Sequence, residues 1–286
     1  MRSKLFVPGS RPELFDKAWR SAADAISFDL EDAVVGERKA EAREHVGRAI
    51  ANLAGSAPKV LIVRVNPIGG PLFEADIDTI ALVGLDVVNL PKVEDAETVR
   101  HASAILDRLE RARAIGRRIG VLANIETPRG LRKAAEIAAA SPRVVGLQLG
   151  FGDLFEPLGI ERSPATLTPI RLAVRLAAAE VGVPVYDGAF VNVSDPDGFR
   201  AEATTARAAG LAGKTCIHPS QIAVANDVFF PSDAEVEKAR RIVSAADGML
   251  ARGVGAFVVD GVMADGPFIS RAREILKVAG SARDDV

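Results

Sequence analysis

A chain of 286 residues, 48% hydrophobic and 26% charged, carries enough apolar material for one large buried core, and α/β barrels run as single domains of about 250 residues. Its formal net charge of −2, with Lys and Arg dispersed along the chain, provides no field to gather nucleic acid. One cysteine, Cys216, excludes an intramolecular disulfide, no Cys and His pair has zinc-ligand spacing, and no run of about 18 apolar residues is present to span a membrane.

The apolar run after Met1-Arg2-Ser3-Lys4 stops at Pro8-Gly9, too soon for the core of a signal peptide, so a reducing cytoplasm is the expected compartment. From there, short β-branched runs alternate with stretches of 3.6-residue periodicity, the pattern of repeated βα units on a parallel sheet. Strands are predicted near residues 4–8, 25–30, 59–65, 86–91, 119–126, 144–149, 184–189 and 213–217, each followed by a helical segment. Asp95-Ala96-Glu97-Thr98 opens a long amphipathic helix with an N-cap and an early acid, and Thr127-Pro128 places proline in a first turn. No Gly-x-Gly-x-x-Gly follows the first strand, so eight units in about 230 residues predict a closed (β/α)8 TIM barrel over 1–230, not a doubly wound sheet.

From residue 231 the pattern changes. Ser232-Asp233-Ala234-Glu235 has the outline of a capping box and starts a charged helix ending near Gly253, then a short apolar run, Ala256-Phe257-Val258-Val259, and a last helix. This C-terminal helical extension, 231–286, exceeds what a barrel requires. It reads equally as a helix packed outside the barrel and as a lid or arm reaching a neighbouring subunit.

Barrel chemistry sits at the C-terminal ends of the strands, and there the polar residues gather: Asp29, Glu31 and Asp32, then Arg64 and Asn66, Lys92, Glu126, Asp153, Asp187 and His218. Glu126 and Asp153 follow consecutive strands, which lie about 4.8 Å apart, so both carboxylates can converge on one cation. Hard oxygens suit Mg2+, whose octahedral shell at about 2.1 Å leaves room for water and a chelating substrate. The plainer alternative makes them loop charges or ion-pair partners. Arg64 places a permanent charge at the mouth of an apolar barrel and needs a partner. Asp29, Glu31 or Asp32 answers structurally, and a substrate carboxylate or enolate functionally.

In Gly150-Phe151-Gly152-Asp153 the glycines either form a tight turn or let backbone N–H groups approach a substrate carboxylate. His218 reads as an acid–base group or as a loop-ordering residue. His45 and His101 read as surface residues and Cys216 as a small core residue.

Several segments, in order along the chain, resemble signatures of the citrate lyase β-subunit-like family, within the HpcH/HpaI aldolase and malyl-CoA lyase superfamily. They are Leu5-Phe6-Val7-Pro8-Gly9, Asp29-Leu30-Glu31-Asp32-Ala33-Val34, Leu90-Pro91-Lys92-Val93-Glu94, Ile125-Glu126-Thr127, Gly152-Asp153-Leu154, and Gly213 to Gln221. The resemblance implies a TIM barrel with Mg2+ held by Glu126 and Asp153, and substrate met by Arg64, Glu126, Gly152 and Asp153. It implies that Asp265, within Val262-Met263-Ala264-Asp265-Gly266-Pro267, is a catalytic acid–base group from a neighbouring subunit of a homotrimer or hexamer. Arg2 and Lys4 loosely match the family's coenzyme A contacts. Asn192 and Ser194 stand where many relatives carry acids, which argues against acid–base roles at those two positions.

The implied reaction is Mg2+-dependent carbon–carbon cleavage of a 3-hydroxyacyl-CoA of the malyl-CoA or citramalyl-CoA type, giving an acyl-CoA and a 2-oxo acid. Two alternatives use the same residues: a citrate lyase β subunit acting on a citryl thioester of an acyl-carrier protein, and a malyl-CoA thioesterase.

Overall fold

The eight expected strands are present and pair in parallel, in chain order, into a closed barrel. They are β1 (Ser3–Pro8), β2 (Ala25–Asp29), β3 (Val60–Arg64), β4 (Val87–Leu90), β5 (Gly120–Ile125), β6 (Val144–Leu149), β7 (Val185–Asp187) and β8 (Gly213–Cys216). The structure is a computed structural model that describes residues 1–53, 59–250 and 253–281. Closure joins β1 to β8 through Ser3 opposite Lys214, Lys4 opposite Thr215 and Leu5 opposite Cys216.

Two-residue alternation decides what each strand gives to each side. Ile26 and Phe28 of β2 face outward into the main hydrophobic cluster beneath the helices. Ala25 faces inward, where it meets Ile62, Val87 and Leu122 in a small apolar plug. Above that plug the inward positions turn polar: Ser27 and Asp29, Arg64, Asn89, Asn124 and Gln148. Apart from Lys4, which faces inward opposite Ala25, the lumen is apolar at the N-terminal end and polar towards the C-terminal end.

The helices follow their signals. Asp95 caps Ala96–Ala112 by accepting from Thr98 N–H at 3.0 Å, and Val99, Ala102, Leu106 and Leu109 form its buried stripe. Thr127 caps Pro128–Arg132 in the same way, through Gly130 N–H at 3.0 Å.

Asp187 departs from the expectation that it serves the mouth. It follows the inward Tyr186, so its side chain faces outward, where it receives Arg171 Nε at 2.9 Å and Nη2 at 2.8 Å and also Lys214 Nζ. Glu202 joins both cations. The cluster is a buried brace between barrel wall and helix, and its position follows from strand parity.

The chain divides into two compact units, Met1–Phe229 and Phe230–Val286. In the second, Asp233–Leu250 and Gly266–Ser281 are helices, and β9 (Phe257–Val259) and β10 (Val262–Ala264) form an antiparallel hairpin. Its two-residue turn places Asp260 at φ 51° and Gly261 at φ 76°, the conformation that tight hairpins require. Ala239, Ile242, Ala246, Phe257, Ala264, Ile269 and Ala272 form this unit's own core. Ser232 and Glu235 do make the capping box, with Ser232 N–H donating to Glu235 Oε2 at 2.8 Å and Glu235 N–H to Ser232 Oγ at 3.3 Å.

Candidate active site

Arg64, the last residue of β3, points into the mouth of the barrel. Its Nε and Nη2 donate to the two carboxylate oxygens of Asp29 at 2.6 and 2.7 Å, a bidentate pair between neighbouring strands. Nη1 lies 2.9 Å from Glu31 Oε2, off the line of a hydrogen bond but close enough for an ion pair. The guanidinium also sits 5.0 Å above the Phe6 ring. Among the three acids that stood as partners for Arg64, Asp29 makes the two hydrogen bonds.

Lys92 follows β4 in the left-handed region, at φ 50°. That turn aims its backbone N–H at Glu126 Oε1, 2.7 Å away, while its ammonium reaches Glu31 at 2.7 Å, Asp32 at 3.5 Å and Asp153 at 3.7 Å. One residue thus joins the acids after β2 to those after β5 and β6.

Glu126 is 2% exposed. Its Oε2 accepts from Asn124 Nδ2 at 3.0 Å, and Asn124 Oδ1 accepts from Asn89 Nδ2 at 2.6 Å, so a ladder of amides holds the carboxylate from below. Burial pushes its pKa up to about 7, and the charge of Asp153 adds to the rise. Gly150 makes room for it: a Cβ there would stand 2.1 Å from Glu126 Oε2 and 2.5 Å from Glu126 Cβ. Asp153 lies in the first turn of the helix Phe151–Phe155, with its side chain 38% exposed. Gly152 beside it borders open space, since a Cβ there would meet nothing within 4 Å.

A buried carboxylate next to a second one is costly unless a cation joins them. Glu126 is fixed by its two hydrogen bonds, Asp153 borders open space, and both offer hard oxygens, so the donor set suits Mg2+. Among the described residues no group of three or more His, Cys, Asp or Glu could hold a metal ion, so a cation at this pair would take its other ligands from water and substrate.

Residues 2–219 match the HpcH/HpaI aldolase/citrate lyase family. The chain belongs to that family. Over 285 residues it is 35% identical to the citrate lyase subunit beta of Haemophilus influenzae, covering 98% of this chain and 97% of the relative. It is 36% identical over 300 residues to an L-malyl-CoA/beta-methylmalyl-CoA lyase of Cereibacter sphaeroides, covering 97% and 94%. A crystal structure of CitE from Mycobacterium tuberculosis in complex with magnesium, acetoacetate and coenzyme A is similar at a TM-score of 0.78 and 33% identity, covering 98% of this chain and 100% of that one.

Within this member of the HpcH/HpaI family, the remaining candidates fall in different places. Arg2 lies at the N-terminal end of the barrel, where it binds Asp24 at 2.7 Å, and Lys4 is buried in the lumen at 1% exposure. Arg2 precedes β1, and inward parity at residue 4 points Lys4 into the barrel, where it shares the Phe6 ring with Arg64. Asn66 is structural, donating to Asp76 at 2.6 Å and accepting from Lys39 at 2.7 Å. His218 is exposed and shares a 2.8 Å hydrogen bond with Ser220, which orders the start of the next helix. Cys216 is a core residue, its thiol pushed up to about 12 by burial. Asn192 and Ser194 bond each other at 3.1 Å in the loop after β7. Asp265 lies in the second unit, between β10 and the helix Gly266–Ser281, and its Oδ1 is buried without a hydrogen-bond partner.

Asn89 and Asn124 carry roles that reading for strand ends passes over. Their signal is an amide inside an apolar strand, as in Val87-Val88-Asn89-Leu90, at an inward position.

Proposed function

We propose that this chain is a Mg2+-dependent carbon–carbon lyase that cleaves a 3-hydroxyacyl-CoA of the malyl-CoA or citramalyl-CoA type to an acyl-CoA and a 2-oxo acid. The observation that carries this reading is the buried Glu126 carboxylate set beside Asp153, with Arg64 fixed by Asp29 and Glu31 at the same mouth. When bound by Glu126 and Asp153, Mg2+ supplies Lewis-acid polarisation of substrate oxygens. The chain's own residues do the rest. Asp29 holds Arg64 by Nε and Nη2, so the guanidinium is fixed with Nη1, ion-paired to Glu31 at 2.9 Å, as the edge that would meet the negative charge developing as the carbon–carbon bond breaks. Lys92 holds Glu126 through its backbone and balances the acids around it. The backbone beside Gly152 is open to a substrate carboxylate.

Asp265, from a neighbouring copy in a homotrimer or hexamer, would protonate the thioester enolate, or take a proton from the acyl-CoA in the reverse direction. Its buried, unpartnered Oδ1 supports a role other than a structural hydrogen bond. The cytoplasm is the proposed compartment; among the described residues, no helix is long and apolar enough to cross a membrane.

The likeness to the Haemophilus influenzae subunit favours one rival, a citryl-thioester lyase working on an acyl-carrier protein. The test is a product assay with Mg2+ and malyl-, citramalyl- and citryl-CoA, with Glu126→Ala and Asp265→Ala as controls. A 2-oxo acid released by the parent and by neither variant is the expected result. Turnover of only a carrier-protein thioester would move the assignment to the complex subunit, and free coenzyme A with intact hydroxy diacid would make the enzyme a thioesterase.

A further inference from the structure

Below the mouth, four inward-facing polar atoms make no hydrogen bond: Lys4 Nζ, Ser27 Oγ, Asn89 Oδ1 and Gln148 Oε1. All four residues are more than nine-tenths buried, and they stand on β1, β2, β4 and β6, around the whole circumference of the lumen. Their chemistry is decided by their other contacts. Gln148 Nε2 donates to Thr215 Oγ1 at 2.8 Å, Leu149 O at 3.0 Å and Asp187 O at 3.1 Å, so its Oε1 is an acceptor. Asn89 Nδ2 donates to Asn124 Oδ1 at 2.6 Å and Leu122 O at 3.0 Å, so its Oδ1 is an acceptor too. Lys4 offers an ammonium, 4.5 Å over the Phe6 ring, and that ring alone does not satisfy three N–H donors.

The set therefore holds strong donors and strong acceptors that do not touch. Buried polar groups go unpaired only at a cost of about 1–3 kcal/mol each. A cation bound among them would be repelled by Lys4, and an anion by the two amide oxygens. A ligand that accepts from the ammonium and donates to the amides satisfies all of them, and water does both.

We infer that the barrel lumen beneath the mouth holds a small cluster of ordered waters joining Lys4 Nζ to Ser27 Oγ, Asn89 Oδ1 and Gln148 Oε1. We assign Lys4 and Asn89 as positioning residues, since the cluster braces Glu126 from below through the Asn89, Asn124 and Glu126 hydrogen bonds. Burial also lowers the Lys4 pKa to about 7, with the charge of Arg64 adding to the fall and the carboxylates of Glu126 and Asp29 opposing it.

The first test is a crystal structure of the full chain at a resolution that places waters. Waters within hydrogen-bond distance of Lys4 Nζ and of the two amide oxygens are expected. A dry lumen, with these side chains turned into direct contact, overturns the inference. The second test compares Lys4→Met, which keeps length without polarity, with Lys4→Gln, which keeps a donor. Lys4→Met should lose about tenfold in kcat with KM and Tm held, and Lys4→Gln should recover most of that loss. Parental kcat in Lys4→Met, or equal damage in both variants, removes the positioning role. The kinetic arm rests on the lyase reading and the crystallographic arm does not, so a chain inactive on every thioester still decides the hydration.

Discussion

Gly150 leaves no room for a methyl group, because its Cβ direction is filled by both the carboxylate and the Cβ of Glu126. Gly150→Ala must therefore move Glu126, and a displacement of about 1 Å at a reacting centre costs on the order of a hundredfold in rate. A steady-state assay should show that loss with the thermal midpoint nearly held; near-parental activity would mean that Glu126 is not needed where it stands. Glu126 itself links pH to stability. Its carboxyl titrates near 4.5 when unfolded and near 7 when folded, so between those values the folded chain binds more protons and stability falls as pH rises. Without divalent cations, Glu126→Gln should melt above the parent at pH 8 and level with it at pH 5. Adding Mg2+ should raise the parent's midpoint and leave the variant's alone. A gap that ignores pH would deny the buried charge. Glu126 is legible in the sequence as an acid after a strand, but the need for glycine at 150 depends on a carboxylate from another strand and has no local signal.

The elements are legible because each βα unit repeats the same alternation of a β-branched run and an amphipathic helix, and their caps mark where helices begin. Less legible is which way a strand's last residue faces. Arg64 and Asp187 both end strands, yet one turns inward and the other outward, and a shift of one residue in reading a strand reverses the answer. Asp187 braces the wall as a partner of Arg171 and Lys214, all three fully buried. Asp187→Asn would leave Glu202 alone to balance Arg171 and Lys214, and breaking a buried pair in this way costs about 3–5 kcal/mol. Urea unfolding should show it as a lower midpoint, and an unchanged midpoint would mean that the cluster contributes nothing to the wall. Arg2 shows a related gap, since a basic residue beside a first strand carries no local signal of which end of the barrel it occupies.

At the scale of the molecule, the proposal that Asp265 serves a neighbouring copy has a direct test. Glu126→Ala and Asp265→Ala chains, each inactive alone, should regain roughly a quarter of parental activity when unfolded and reassembled together in equal amounts, because random mixing leaves that share of sites with both residues intact. No recovery would mean that a site takes both residues from one chain, or that Asp265 has no part in it. Closure of the barrel bears on how the protein is made. Ser3 Oγ donates to Asn226 Oδ1 at 2.6 Å, and Asn226 Nδ2 donates to Ala22 O at 2.7 Å, so the last helix of the barrel unit is stitched to its first strand. During synthesis β1 waits with one edge unpaired until β8 has left the ribosome, and β7 waits beside it. Unpaired strand edges recruit other chains. A ribosome that stalls before Gly213 therefore releases an adhesive open sheet, not a smaller enzyme.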